Sequence, residues 1–452
     1  SDLYGRKTLL IAVASLYVVS AVFSALAQSV EMLVFARFIG GMAFASLSLA
    51  PIYISEVAPA RARGRMVSFN QLNIVLGFSA AYFANYFILQ AAQAETAFSQ
   101  SLGIADNTWR WMLGLEIIPA VIWLCSLLLV PESPRWLIIN GREAQGREVL
   151  KRLVLDKPMD EEVADIQASV QGELPPLLSR FRVVFGASLR FALVIGLILA
   201  VAQQITGINV VFFYAPSIFE QSGIGTNAAF AQAAVVGIIN VVFTVVSMLL
   251  IDRMGRKPLL VIGLTGIMAS MLLCSWSFHD AQYRLDGQDI ASIEEPAIAA
   301  QLAPMRDISY ASDVTFKRAL EAAIGTSEAR RLESELIQAA IDINPTLVLI
   351  GILVFVASFA VSLGPVMWVM LPEIFPNRVR GVAMAVTGTV NSAVSFGVQF
   401  IFPWQLNNVG ASATFLGYAV FAALFLILTV WLIPETKNKT LEELEGLLTG
   451  TR

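Results

Sequence analysis

Histidine appears once and cysteine twice, and charged side chains make up only 14% of the 452 residues. Cys125 and Cys274 both lie inside apolar runs, where a free cysteine acts as a small hydrophobe, so neither a disulfide framework nor a metal site can be built from them. His279 stands alone beside Asp280 and is given no role. A paired nucleophile and base, a metal-ligating cluster and a phosphate-cradling glycine loop are all lacking, which argues against an enzyme and against a cofactor. The net charge is only -4 and the basic residues are scattered, which points away from nucleic acid as a partner. Soluble domains carry about a quarter charged residues. With 57% hydrophobic residues and a mean hydropathy of +0.70, this chain reads instead as an all-α, polytopic integral membrane protein.

Ten apolar spans have the length and sparse charge of membrane helices: about 8–28, 32–55, 66–90, 110–130, 189–220, 227–251, 258–278, 345–371, 381–403 and 411–433. Between the fourth and fifth spans the chain turns polar, with an amphipathic, arginine- and glutamate-rich helix expected over 141–155. The division that follows is a first bundle at 1–130, a helical linker at 131–188, a second bundle at 189–433 and a polar tail at 434–452. A long polar segment, 279–344, interrupts the second bundle; its stretch 312–343 has helical character. Lysine and arginine concentrate in alternate loops, while the loops near 28, 91–108, 221–226 and 404–410 contain none. That asymmetry puts the linker and the C-terminus in the cytoplasm and the 279–344 segment outside, in the cell (inner) membrane.

The two halves repeat. GRKTLL at 5–10 returns as GRKPLL at 255–260, EVAPARARG at 56–64 as EIFPNRVRG at 373–381, and Pro131-Glu132 as Pro434-Glu435. Two spans precede the GRK loop in the second half and none in the first, so twelve helices in two related six-helix bundles are expected of the parent architecture, ten of them here. A ligand site near mid-membrane is the usual consequence of such a repeat.

Within the fifth span, QQITGINVVFFYAP at 203–216 places three carboxamides at membrane depth. A carboxamide offers two donors and an acceptor without a charge, which suits a polyhydroxylated ligand. On an unbroken helix Asn209 would sit about 240° around from Gln203. Gly207 lies between them and is free to loosen the helix so that they converge. Read from the residues alone, the same amides could equally bridge neighbouring helices.

The combination of DLYGRK (2–7), PESPRWL (131–137), QQITGINVVFFYAP, GPVMW (364–368) and PETKNKTLEEL (434–444), in that order, resembles the sugar porter branch of the major facilitator superfamily, over essentially the whole chain except 279–344. The bacterial xylose/proton symporter type is the nearest likeness. The resemblance implies a major facilitator fold that moves a hexose or pentose by alternating access with proton symport. It implies that Gln71, Gln203, Gln204, Asn209, Asn240 and Asn391 hydrogen-bond the sugar and that Trp368 stacks on its apolar face. For Trp368 an interfacial belt position is the competing reading, weakened by Gly364 and Pro365 just before it. Arg37, about two turns inside its helix, is implied to pair with a carboxylate of the family's first helix and to take part in proton coupling. A charge at helix centre costs on the order of 3 kcal/mol, so a partner is expected on physical grounds as well. Asp2, Arg6, Glu56, Arg63, Glu132, Asp252, Arg256, Glu373 and Arg380 match the inner salt-bridge network that holds the family's two bundles together; the competing reading is that they only satisfy the loop-charge rule.

Three positions depart from the family pattern. Phe213 replaces the first tyrosine of a common pair, Ala360 stands where glucose facilitators carry a glutamate, and Leu3 replaces an arginine. They leave the substrate class intact and the particular sugar open. The expected partners are a small-molecule sugar, a proton and the lipid bilayer, with the chain acting as a monomer. A facilitated sugar or inositol-like carrier and a non-transporting sugar sensor are the alternative readings.

Overall fold

The computed structural model describes residues 4–58, 63–94, 96–153, 158–168, 177–293, 295–376 and 379–437, without the side chains of 45–48, 55, 63–65, 67, 68, 70, 71, 165, 177, 178, 180, 188 and 252. Two compact units divide the chain, residues 1–174 and 175–452. The division falls inside the polar linker expected at 131–188.

Helix Arg6–Ala25 is the hub of the first unit and packs against Val30–Met42, Thr108–Gly114 and Ile117–Leu129. Gly40 allows the closest of these approaches: a Cβ there would meet the Ser20 hydroxyl at 2.6 Å, and that hydroxyl donates to the Ala36 carbonyl at 2.7 Å. Small residues that bring backbones together are the usual adhesive between membrane helices. Leu10, Val13, Ala14, Ala43, Leu49 and Leu127 form the core beneath.

Nine helices among the described residues are long and apolar enough to cross a membrane. The expected span at 32–55 is not one of them, because a 3₁₀ turn at Ala43–Ala45 splits it into Val30–Met42 and Ser46–Val57. Gly40-Gly41 before the turn and Pro51 after it weaken the helical hydrogen bonding on both sides. The span at 110–130 also divides, into Thr108–Gly114 and Ile117–Leu129, with Glu116 at the junction. The polar stretch that follows holds Pro134–Ile139, Glu143–Arg152 and Met159–Ala168, joined by a small core of Ile138, Leu150 and Val163.

In the second unit helix Arg256–Asp280 is the hub, flanked by Ala411–Leu432 and Pro345–Val361. Gly263 and Gly266 face Ser362 and Ser358, and Gly351 faces the Cys274 sulfur, each without room for a Cβ. Two spans are broken midway. The fifth separates into Arg190–Ile205 and Ile208–Glu220 at Gly207, and the eighth into Pro345–Val361 and Leu363–Ile374 at Ser362.

The polar segment between Asp280 and Pro345 is a folded module, more than the helical character expected at 312–343. β1 (Gln282–Arg284) is central in an antiparallel sheet between β2 (Ser309–Tyr310) and β3 (Ile341–Asp342). Strands of two and three residues are too short to leave an alternating pattern in the sequence. Gly325, at φ 78°, separates helix Asp313–Ile324 from Thr326–Arg331, and Glu333–Ala340 completes the stretch. Tyr283, Leu302, Phe316, Leu320 and Ile337 fill its core, with the Tyr283 and Phe316 rings stacked 5.7 Å apart.

Candidate functional site

Gly207 adopts the left-handed conformation, φ 93° and ψ 14°, between the helix that ends at Ile205 and the one that starts at Ile208. A Cβ there would lie 3.1–3.2 Å from the Tyr418 ring, so both backbone and packing require glycine. The hydroxyl of Thr206, just before it, donates to the Ala202 carbonyl at 3.0 Å and closes the upstream helix.

This break brings together the carboxamides that an unbroken helix would scatter. Asn209 donates to Gln204 Oε1 at 2.8 Å and to the Ser395 hydroxyl at 2.7 Å. Gln204 donates to Asn391 Oδ1 at 3.1 Å, and Asn391 donates to Gln203 Oε1 at 2.7 Å and to the Ala200 carbonyl at 2.9 Å. Gln203 reaches the Leu363 and Gly364 carbonyls at 3.5 and 3.4 Å, which ties the ring to the second broken span. Gln203, Gln204 and Asn391 are buried and Asn209 half-buried.

Ser395 and Gln399 were not among the expected site residues. Gln399 donates to the Ser395 hydroxyl at 2.9 Å and so extends the polar surface. The signal was present: Asn391, Ser395 and Gln399 follow at intervals of four on helix Arg380–Asn408, a single polar stripe in an apolar helix.

Among the described side chains, Asn240 and Trp368 are not hydrogen-bonded to this ring. Asn240 is buried in helix Thr226–Met254 and makes no hydrogen bond to it. Trp368 is 42% exposed, on the half-helix that starts at Leu363. The break before it is at Ser362, where φ is -120° and ψ -96°, while Pro365 sits in the first turn, where no helical N–H is needed. Gln71 lies on helix Arg63–Gln93, and its side chain is outside the described ones.

Arg37 has a partner that sequence reading missed. Its guanidinium is 3.0 Å from Glu116, the residue at the junction of the divided fourth span, with the two side chains 41% and 51% exposed. The signal was a lone glutamate inside an apolar span, the mark of a paired or functional carboxylate.

The loop charges form two equivalent sets. In the first unit Arg6 pairs with Glu56 at 3.0 Å, and Glu132 accepts the backbone N–H groups of Arg6 and Lys7 at 2.9 and 3.0 Å. In the second, Arg256 pairs with Glu373 at 2.8 Å, and Glu435 accepts the N–H groups of Arg256 and Lys257, both at 3.0 Å. Gly5 and Gly255 turn at φ 91° and 97° to admit those carboxylates, which cap a helix N-terminus in each case. The described pairs each lie within one unit. Arg380 donates to the Phe375 carbonyl at 3.2 Å instead of to a carboxylate; Asp2 is outside the described residues, and the side chains of Arg63 and Asp252 are outside the described ones.

Burial alone would raise the Glu435 carboxyl, but four backbone N–H groups outweigh it and hold it below its ordinary 4.5. A depressed value stabilises the fold above 4.5 and loses that contribution as pH falls through the folded value. Glu435→Gln is therefore expected to lower stability at neutral pH by roughly the 1 kcal/mol of a helix-end anion, read as a lower Tm. Melting of both proteins in detergent should show the gap narrowing as pH falls below 4.5; a gap independent of pH would contradict this role.

Helices long and apolar enough to cross a bilayer, two of them broken at mid-span and joined by the Gln203 side chain, are the architecture of a membrane carrier. The chain matches the sugar (and other) transporter family over residues 1–291 and 333–448, and it belongs to that family. It is 34% identical over 448 residues to the arabinose-proton symporter of Bacillus subtilis (strain 168), covering 99% of this chain and 82% of the relative. Against the D-xylose-proton symporter of Escherichia coli (strain K12) it is 32% identical over 475 residues, covering 99% and 81%. The inward open structure of the xylose transporter XylE from E. coli superposes with a TM-score of 0.71 at 30% identity, covering 99% of this chain and 84% of that one. The fold is that of the major facilitator superfamily.

Proposed function

We propose that this protein carries a monosaccharide, a pentose or a hexose, across the cell membrane by alternating access, coupled to protons. The observation that carries this reading is the hydrogen-bonded ring of Gln203, Gln204 and Asn391, extended through Asn209 to Ser395, beside the Gly207 break. Each amide there can donate and accept, and a pyranose can replace those partners with its own hydroxyls at little net cost. The similarity to arabinose and xylose symporters supports the substrate class. Asn240 is assigned to the wall of the same site, Gln71 to hydrogen bonding the sugar, and Trp368 to stacking on the sugar's apolar face, where an indole plane suits its C–H side.

Saturable binding of xylose or glucose to the purified protein, measured by calorimetry, tests the substrate class. Affinity near millimolar is expected, because a carrier must release what it binds and about 4 kcal/mol suffices. Binding of myo-inositol with no binding of either sugar would move the assignment to a polyol.

Proton coupling is assigned to Arg37 and Glu116, the charge pair inside the spans of the first unit. Loss of this pair would release Arg37, and so tie the pair to the conformational change. Glu116→Gln is expected to abolish gradient-driven accumulation while sugar exchange between preloaded vesicles and medium continues within about threefold, less than the tenfold that 1.4 kcal/mol would give. Accumulation retained by the variant would remove Glu116 from the coupling path. The Arg6–Glu56 and Arg256–Glu373 pairs are assigned to biasing the conformational equilibrium as a group, with the linker and C-terminus in the cytoplasm.

A further inference from the structure

The family match leaves out 292–332, whose described residues belong to the folded module, and that module is bonded to helices Ile208–Glu220 and Ala411–Leu432, which carry Asn209 and Tyr418. Asp313, buried at the start of helix Asp313–Ile324, accepts the N–H of Ala411 at 3.1 Å. Ala411 is the first residue of the last membrane helix, so a carboxylate from nearly a hundred residues upstream serves as its N-terminal cap. Gly410 turns at φ 90° to admit it, and a Cβ there would meet Asp313 Oδ1 at 2.6 Å and the Val314 side chain at 3.1 Å. Two turns into the same helix, Tyr418 lays its ring against Gly207, the residue whose left-handed turn aligns Gln204 with Asn209. The module also touches the far end of the half-helix that Gly207 starts. Ile341 packs against Gly223, and the Ser334 hydroxyl lies 3.4 Å from Glu220.

We infer that Asp313 is a positioning residue for the sugar site, holding the last helix so that Tyr418 fixes the Gly207 hinge from outside the membrane. The inference rests on the reading of the carboxamide ring as that site. A buried carboxylate bonded to a helix N-terminus is costly unless the partner stays in place, which makes the cap a rigid attachment. Removing it frees the first turn of the last helix, and the freedom passes along the helix to the Tyr418 ring.

Hydrogen–deuterium exchange of the full chain in nanodiscs tests this without relying on transport. Asp313→Ala should speed exchange of the amides at 207–211 about fivefold, as expected for loss of one cap, and Asp313→Asn, which keeps an acceptor, should stay near the unaltered rate. In uptake, Asp313→Ala should raise KM severalfold and leave kcat within about twofold, a shift under the tenfold of 1.4 kcal/mol. Should Asp313→Ala fail to fold, Tyr418→Leu carries the same test from inside the membrane and should speed the same amides. Unchanged exchange at 207–211 in either folded variant overturns the inference. If xylose and glucose fail to protect those amides in the unaltered protein while Asp313→Ala still speeds them, the positioning stands and the sugar-site reading fails.

Discussion

Gln204→Ala is expected to weaken sugar binding roughly 30- to 150-fold, the loss of two hydrogen bonds at about 1–1.5 kcal/mol each. Gln204 is the one side chain that bonds both Asn209 and Asn391, and so links the half-helix beyond the Gly207 break to helix Arg380–Asn408. Alanine removes its donor and acceptor together. Asn209 keeps Ser395 and Asn391 keeps Gln203, so the fold around the ring should persist. The predicted pattern is therefore a large loss of affinity with little change in Tm. Calorimetry beside thermal unfolding checks it, and a comparable fall in both would make Gln204 a packing residue.

The second large effect is expected at Gly207. A side chain in the left-handed region costs roughly 1–2 kcal/mol, and here the new Cβ would also press on the Tyr418 ring at 3.1 Å. Gly207→Ala should reduce sugar affinity about tenfold, 1.4 kcal/mol, and Gly207→Val, β-branched and less tolerant of positive φ, should abolish measurable uptake. Both variants can be inserted into vesicles and assayed for binding and flux. Wild-type affinity in Gly207→Val would mean that the ring does not depend on the break.

Much of this was readable from residues because membrane helices announce themselves by length and composition, and because duplicated loops fix the internal repeat. Glu132 and Glu435 could be paired as equivalents from Pro-Glu alone, and the structure gives them the same capping role. Convergence of Gln203, Gln204 and Asn209 needed only the observation that a glycine stands between them. What escaped sequence reading has physical reasons. Glu116 sits 79 residues from Arg37, a separation that no local pattern spans. Asp313 caps a helix 98 residues downstream, so its role depends wholly on the tertiary fold of the module. The 3₁₀ turn at Ala43–Ala45 arises from glycine and proline placements that leave the hydropathy of the 32–55 span intact.

Trp368 illustrates a different limit. GPVMW identified a break before the indole, yet the break is at Ser362, whose hydroxyl donates to the Ser358 carbonyl at 2.6 Å and closes the upstream half-helix. Hydropathy cannot distinguish a serine that ends a helix from one that lies along it. Side-chain hydrogen bonding to the backbone decides that, and it is set by the packed structure.

The most direct test of the account is uptake of labelled xylose and glucose into proteoliposomes, with and without an inward proton gradient, beside Gln204→Ala. Accumulation of one of these sugars above the outside concentration, dependent on the gradient and lost in the variant, is the predicted result. Uptake that Gln204→Ala leaves unchanged would contradict the assignment of the carboxamide ring, and equilibration indifferent to the gradient would contradict proton coupling.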